Sequence, residues 1–89
     1  MKIFYDLYWD EQNIEHIARH RVTPDEAERA VFSSMSRIRK GRGQNIYYVL
    51  GRTDSGRYLF VVLKMWRDGI GRIITARDMS DKERRWYLG

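Results

Sequence analysis

The 89-residue chain has no cysteine and only one proline. Without thiols it can form neither disulfides nor thiolate metal sites, a composition that suits a reducing compartment. No apolar run approaches the roughly 18 residues of a membrane span, and the opening MKIFYD is unlike a signal peptide. From the sequence we expect a cytoplasmic protein that makes no membrane contact.

Signatures of several enzyme classes are also missing. No Gly-x-Ser-x-Gly elbow supplies a nucleophilic serine, and the glycines fit no phosphate-binding loop. His16 and His20 have metal-ligand spacing, but Ile17 stands where a zinc-protease helix requires glutamate. A solvated helix face is the plainer interpretation, so we expect neither a metal nor a cofactor. The length predicts one domain, residues 1–89, with one modest core.

Charge is unevenly distributed along the chain, whose net charge is +5. Residues 1–35 carry four basic and seven acidic side chains, whereas residues 36–89 carry thirteen basic and five acidic ones. A basic half attracts polyanions such as nucleic acid, although arginine and lysine also serve simple solubility. The six acidic residues in and beside the two predicted helices of the first half either receive a basic segment of a partner or form an ordinary solvated face. They are Asp10, Glu11, Glu15, Asp25, Glu26 and Glu28.

Hydrophobic periodicity predicts the secondary structure. Residues 2–9 alternate as a half-buried strand does, with Ile3, Tyr5, Leu7 and Trp9 on one face. Asp10 caps a helix ending near residues 20–21, and Thr23 with Pro24 and Glu26 starts a second helix that stops near residues 33–34. Strands follow over 35–40 (weak), 45–52, 57–64 (most apolar and central) and 72–76. Ser80 and Glu83 form a capping box for a last helix over 82–87.

This order predicts an α+β fold of two layers, β-α-α-β-β-β(-β)-α, with an antiparallel meander sheet. Helices on one face would leave the other face to polar and charged groups. If the strand ends lie side by side, their basic residues form a rim on the sheet. The residues concerned are Arg52, Arg57, Lys64, Arg67, Arg72 and Arg77.

Such a rim suits RNA cleavage without a metal. That reaction needs a base for the 2′-hydroxyl, an acid for the leaving oxygen and cations for the crowded phosphate, and arginine meets two phosphate oxygens with its planar fork. Aromatic residues nearby suit the stacking of single-stranded bases. The structural alternative is that the arginines pair with carboxylates and the aromatic rings fill the core. The aromatic residues are Tyr47, Tyr48, Trp66, Trp86 and Tyr87.

The chain resembles the BrnT-type toxins of bacterial type II toxin–antitoxin modules over nearly its whole length. The resemblance is carried by Trp9-Asp10-Glu11 with Asn13, His20-x-Val22, Glu26-Ala27, Val31-Phe32, Gly51-Arg52-Thr53, Gly56-Arg57, Leu59-Phe60-Val61-Val62, Arg72-Ile73-Ile74-Thr75-Ala76-Arg77 and Glu83-Arg84-Arg85-x-Tyr87. The chain departs from the family at Arg21, where glycine usually follows the histidine. A helix end often needs glycine for a left-handed turn, so this helix end is expected to be shaped differently.

The resemblance implies a RelE-like ribonuclease fold, metal-independent RNA cleavage and growth arrest. It also implies neutralisation by a BrnA-like ribbon-helix-helix antitoxin, with two toxins on an antitoxin dimer and operator DNA bound through the antitoxin. A non-catalytic module that binds RNA, DNA or the antitoxin is the alternative function.

Matching position by position, Arg52 and Arg77 correspond to arginines of the family motif, Glu83 to its terminal-helix acid and His20 to its histidine. Arg77 ranks first for transition-state contact, ahead of Arg52 and Lys64. Glu83 is already needed for the helix cap, which argues against its acting as general base. Candidate RNA contacts are Arg57, Arg67, Arg72, Lys82, Arg84, Arg85, Tyr48, Trp66 and Tyr87.

Overall fold

A computed structural model describes residues 3–89 and confirms the predicted α+β fold and element order. The elements are β1 (Asp6–Tyr8), α1 (Glu11–Ala18), α2 (Pro24–Val31), β2 (Arg37–Lys40), β3 (Ile46–Arg52), β4 (Tyr58–Arg67), β5 (Ile70–Asp78) and α3 (Asp81–Leu88). Within residues 3–89, none of the helices combines the length and apolarity needed to traverse a bilayer.

The five strands form one sheet in the order β1-β5-β4-β3-β2. Strands β2 to β5 make the predicted antiparallel meander, and β1 pairs in parallel with β5 at the edge. The most apolar strand, β4, lies at the centre of the sheet, as predicted. Its residues are apolar because both its faces are covered along part of its length.

Both N-terminal helices start where their capping residues predict. Asp10 and Asn13 exchange two hydrogen bonds of 2.9 Å between side chain and backbone. Thr23 and Glu26 do the same at 3.0 and 3.2 Å. Each box satisfies two backbone N–H groups that an uncapped helix would leave without partners.

Helices α1 and α2 cover one face of the sheet and build the core against it. A Cβ atom added at Gly51 would lie 2.1 Å from the carbonyl oxygen of Ala30, so α2 approaches the backbone of β3 closely. This packing buries apolar side chains from both layers. Fully buried members include Ile17, Ala27, Ala30, Val49, Leu59, Val61 and Leu63.

The end of α1 is a left-handed turn made without glycine. Arg21 has φ of 60°, in the left-handed region. Its N–H donates to the carbonyl of Ala18 at 2.9 Å, and the N–H of Val22 donates to that of Ile17 at 3.1 Å. This is the hydrogen-bond pattern of a Schellman motif, with buried Val22 and Ile17 as its hydrophobic pair. The helix therefore ends in the left-handed turn that usually requires glycine, so the expectation that Arg21 would give this end a different shape is wrong.

The first strand is shorter than the alternation of residues 2–9 predicts, and residue 2 lies outside the described chain. Regular pairing covers only Asp6–Tyr8. The predicted faces before it are wrong, because Phe4 is 2% exposed and Tyr5 is 66% exposed. The N–H groups of Tyr5 and Asp6 both donate to the carbonyl of Gly69, so the chain enters the sheet by an irregular turn that breaks the alternation.

The third helix lies on the sheet face opposite α1 and α2, which we term the open face. Leu50 pairs with Phe60 and Phe60 with Arg77, so these side chains share that face. Arg77 binds Glu83 of α3, and Leu50 is buried beneath the helix. The two-layer arrangement predicted for α1 and α2 holds, and α3 adds a partial third layer at one end.

Candidate nucleic-acid interface

A groove of about 340 Å³ runs along the open face beside α3, and we term it the α3 groove. Its floor is aromatic and aliphatic, whereas its rim carries cationic side chains and one glutamate. Its lining residues are Arg39, Tyr48, Leu50, Phe60, Ser80, Lys82, Glu83 and Trp86.

Arg77 is fixed at the edge of the α3 groove by a two-pronged ion pair. Its two terminal nitrogens donate to the two carboxylate oxygens of Glu83 at 2.8 and 2.9 Å. One of them also donates to the carbonyl of Asp78 at 3.0 Å, and the guanidinium carbon lies 4.4 Å from the centroid of the Phe60 ring. Such parallel bonds fix orientation as well as adding energy. The side chain of Arg77 nevertheless remains 39% exposed.

Glu83 serves this pair and the helix cap at once. Its carboxylate accepts from the N–H of Ser80 at 2.8 Å, and its own N–H donates to the Ser80 hydroxyl at 3.1 Å. The hydrogen bonds from Arg77, joined by that from Ser80, hold the pKa of the Glu83 carboxyl below its ordinary value. A carboxylate with a lowered pKa is a weak proton acceptor, so Glu83 is suited to positioning.

Strand β2 supplies two arginines that sequence reasoning missed. The guanidinium carbons of Arg37 and Arg39 lie 5.5 and 5.3 Å from the Trp86 ring centroid, within cation–π range. Both lie on the open face because they pair with Leu50 and Tyr48, and Arg39 lines the groove. The alternation of Arg37, Ile38 and Arg39 could have shown that both arginines lie on one face of β2. It was overlooked because this strand was predicted to be weak.

The last helix presents Trp86 rather than Tyr87 to the groove. Tyr87 is 7% exposed, and its hydroxyl donates to the carbonyl of Met35 at 3.0 Å. It is therefore a packing residue with no free face for a base, whereas Trp86 is 44% exposed. Of the predicted cations on α3, Lys82 lines the groove. Arg84 and Arg85 are exposed outside the set of lining residues, with Arg84 stacked 4.2 Å from the Tyr58 ring centroid.

Arg57 lies on the helix-covered face, where its hydrogen bonds stabilise the fold. Its guanidinium donates to Asp78 at 2.7 Å and to Glu26 at 3.1 Å. It also donates to the backbone carbonyls of Arg21 at 2.6 Å and His20 at 3.2 Å. It thus clamps the end of α1, the start of α2 and the end of β5 together. The side chain predicted to contact RNA is placed away from the open face.

The histidines stand apart from the groove. His20 contributes its backbone to the Arg57 clamp while its ring is exposed, 6.1 Å from the His16 ring centroid. Across residues 3–89, no group of three or more histidine, aspartate or glutamate side chains is arranged to hold a metal. The structure does not bring His20 together with Arg77, because His20 adjoins Arg57 on the helix-covered face and Arg77 lies on the open face.

The remaining predicted residues lie at other points of the open face. Lys64 pairs with Arg72, and Arg72 pairs with Tyr8, so the three sit side by side beyond the groove. Trp66 and Arg67 follow at the end of β4, both exposed. Arg52 lines a different hollow, with Tyr58, Tyr87 and Leu88 among its walls.

An α+β domain that gathers cationic and exposed aromatic side chains on one sheet face belongs to the class of small domains that can hold a single-stranded polyanion. The family model described as "Ribonuclease toxin, BrnT, of type II toxin-antitoxin system" matches residues 9–83, and the chain belongs to this family. It is therefore a ribonuclease toxin whose system includes an antitoxin partner. A comparison with curated proteins found no match.

Proposed function

We propose that the protein is an endoribonuclease that cleaves single-stranded RNA in the α3 groove without a metal ion. The observation that carries this proposal is the orientation of Arg77, which Glu83 fixes beside an aromatic floor. Cleavage within a strand transfers the phosphate from the leaving 5′-oxygen to the neighbouring 2′-oxygen, and negative charge accumulates on the phosphate oxygens. A preorganised cation at that point stabilises the transition state more than the ground state.

Arg77 retains donors for this task. A guanidinium has five N–H groups, and the contacts to Glu83 and the Asp78 carbonyl use three of them. The Nε–H and one terminal N–H have no hydrogen-bond partner among the described residues. We assign these two donors to the phosphate oxygens of the scissile nucleotide.

The groove lining supports the flanking nucleotides. Arg39 and Lys82 on opposite rims suit neighbouring phosphates, and the exposed ring of Trp86 suits a base. Lys64 lies further along the same face, so it is proposed to contact the strand rather than the scissile phosphate. Arg52, in its separate hollow, is proposed as a second peripheral contact.

RNA binding without cleavage is the second candidate function. It is favoured because Glu83, the carboxylate that lines the groove, already accepts hydrogen bonds from Arg77 and from the Ser80 N–H of the helix cap, and is therefore a poor general base. A cleavage assay separates the two functions, because a pure binder retains oligonucleotides without shortening them.

We also propose that the antitoxin is of the BrnA-like ribbon-helix-helix kind. Two toxins would then sit on one antitoxin dimer, and operator DNA would be bound through the antitoxin. The resemblance of the chain to the BrnT toxins supports this assignment. Co-expression with such an antitoxin should restore growth, and the mass of the purified complex would give the ratio of subunits.

The decisive variant is Arg77→Ala, with Arg85→Ala as the matched control because Arg85 is exposed on α3 outside the groove lining. We expect Arg77→Ala to lower the RNA cleavage rate roughly 100-fold or more, as loss of a transition-state donor does. Its cost in folding free energy should stay below about 1 kcal/mol, since the ion pair is partly exposed. Cleavage of a labelled single strand and thermal unfolding are measured on both purified variants.

In cells, induction of the wild type should arrest growth and deplete RNA, and Arg77→Ala should abolish both effects. Full cleavage by a folded Arg77→Ala protein would remove Arg77 from the mechanism. Tight RNA binding with no cleavage by the wild type would establish the second candidate function.

A further inference from the structure

A second cluster of aromatic and cationic residues lies on the open face at the opposite end of β4 from the α3 groove. The rings of Tyr8 and Trp66 have centroids 4.6 Å apart and are tilted by 52°. The guanidinium carbon of Arg67 lies 4.5 Å from the Trp66 ring centroid. We term these three residues the Trp66 platform.

The backbone presents this platform to solvent. A register irregularity between Met65 and Arg67 interrupts the pairing of β4 with β5 and leaves Trp66 without a partner residue in that ladder. A bulge of this kind re-aims side chains at a sheet edge. Trp66 is 48% exposed, although burial of an aromatic residue is normally favourable. An exposed indole stacked with a guanidinium offers planar, cationic surface of the kind on which nucleobases stack.

Cationic side chains lie beside the platform on the open face. Lys64 is exposed and shares the open face with Arg72 and Tyr8 through direct strand pairing. Arg72 is occupied by an ion pair of 2.9 Å with Asp10. Lys64 and Arg67 make no ion pair within the portion of the chain that the structure describes, so they remain available to phosphates.

The spacing along β4 defines the length of strand that would reach both places. Trp66 follows Phe60 of the groove by six positions along β4, which corresponds to about 20 Å of extended chain. At about 3.4 Å per nucleotide for a stacked strand, that span covers roughly six nucleotides.

We propose that the Trp66 platform is a second base-binding subsite, which holds a nucleobase of the same single-stranded RNA several nucleotides from the α3 groove. This inference rests on the proposed function, because it assumes that the groove holds RNA. It implies that the substrate is an unpaired strand long enough to reach both ends of the open face. Short fragments then lose the second contact and are released.

The test uses purified protein and oligonucleotides with 2′-O-methyl groups, which cannot be cleaved because the attacking hydroxyl is blocked. Binding of a three-nucleotide and an eight-nucleotide strand is followed by fluorescence anisotropy. We expect Trp66→Ala to weaken binding of the longer strand about tenfold, the loss expected for one stacked base. Its binding of the shorter strand should stay at the wild-type level, and Trp66→Phe should recover part of the loss.

Two matched variants locate the effect. Trp86→Ala removes the exposed ring of the groove and should weaken binding of both strands, whereas Arg19→Ala, at the exposed C-cap of α1, should change neither. If Trp66→Ala binds both strands as the wild type does while Trp86→Ala weakens both, the second subsite is overturned and the groove assignment stands. If the wild type binds neither strand, both proposals are overturned.

Discussion

Arg21 shows how a single residue can hold a backbone conformation that its side chain disfavours. A non-glycine residue in the left-handed region costs about 1–2 kcal/mol, because its Cβ crowds the following carbonyl. The cost is tolerated here because the turn ends α1, buries Val22 against Ile17 and presents the Arg21 carbonyl to Arg57. Glycine at this position would avoid the cost, because it has no Cβ atom.

Arg21→Gly should therefore stabilise the protein. Relief of the left-handed strain outweighs the greater freedom of glycine in the unfolded chain, so the net gain should be about 0.5–1 kcal/mol. For a domain of this size that gain corresponds to a rise in Tm of about 4 °C. The measurement is thermal unfolding followed by circular dichroism.

Arg21→Ala is the control for this substitution, because it removes the guanidinium but keeps the Cβ atom that causes the crowding. An equal gain from both substitutions would trace the effect to the charge of Arg21, and the conformational explanation would then fail.

At the scale of the element, the first turn of α2 carries a carboxylate that has two tasks. Glu26 closes the capping box with Thr23 and accepts from Arg57 at 3.1 Å, which ties α2 to the start of β4. The hydrogen bond from the Thr23 backbone, joined by that from Arg57, holds the pKa of Glu26 below its ordinary value of 4.5. Because the folded-state pKa is the lower one, this stabilisation is fully present above about pH 4.5 and is lost as the pH falls through the folded-state pKa.

Glu26→Gln should test that account, since glutamine keeps the capping acceptor and loses the charge. We expect the free energy of unfolding to fall by about 1 kcal/mol near neutral pH, as for a partly exposed ion pair. The difference from the wild type should shrink as the pH falls through the folded-state pKa of Glu26, because the wild-type glutamate then becomes protonated. Urea unfolding near neutral pH and in acid measures it.

Glu15→Gln provides the matched comparison, because Glu15 is exposed on α1 and makes no ion pair among residues 3–89. It should leave stability unchanged at both pH values. A Glu26→Gln penalty of the same size at low and neutral pH would mean that the contribution is steric rather than electrostatic.

The elements themselves were predictable because their signals are local. The capping residues and the turn chemistry fix where each helix starts, and α3 begins at Asp81 against a predicted 82. The length of β1 was not predictable in this way, because its pairing depends on β5, more than 60 residues later. The side of the sheet that α3 would cover was equally hidden, since it follows from the direction of the turn after β5.

The candidate site was predictable only in part, for a related reason. Arg77 and Glu83 are six residues apart, and both were singled out from the sequence. The ion pairs that Arg57 makes within the fold could not be predicted, because its partners lie 31 residues before and 21 residues after it. Tyr87 was predicted to contact RNA but is buried, because a helix of eight residues carries too little periodicity to fix which of its residues face inward.

At the scale of the whole molecule, the two halves of the chain differ in net charge, and ion pairs connect them. Asp10, Asp25 and Glu26 each pair with an arginine within the chain, and Glu28 accepts from the indole of Trp9 at 2.8 Å. These contacts favour an internal role for most of the acidic residues over a docking surface for a basic partner. We therefore expect the cations of the open face to determine how strongly the protein binds polyanions.

Binding of RNA should accordingly depend steeply on salt. If Arg39, Lys64, Arg67 and Lys82 each neutralise a phosphate of an eight-nucleotide strand, the logarithm of the binding constant should fall with that of salt concentration with a slope of about −3. Anisotropy titrations from about 50 to about 200 mM salt measure the slope. Arg39→Ala should reduce its magnitude by about 0.7, the contribution of one phosphate contact to a single strand.

A slope near zero for the wild type would mean that RNA is held without ionic contacts, against the role given to these cations. Arg19→Ala, on the helical side of the sheet, should leave the slope unchanged.

The position of β2 at the border of the sheet has one more consequence. In the described part of the chain it has β3 as its sole neighbour, and its Arg37, Arg39 and Lys40 are exposed. Charged side chains on such a border keep it from recruiting a strand of another molecule. Neutral substitutions made there to weaken RNA binding would also invite aggregation, and a screen scored by survival would confuse the two. Glutamate at the same positions separates them, because it repels phosphate while keeping the border charged.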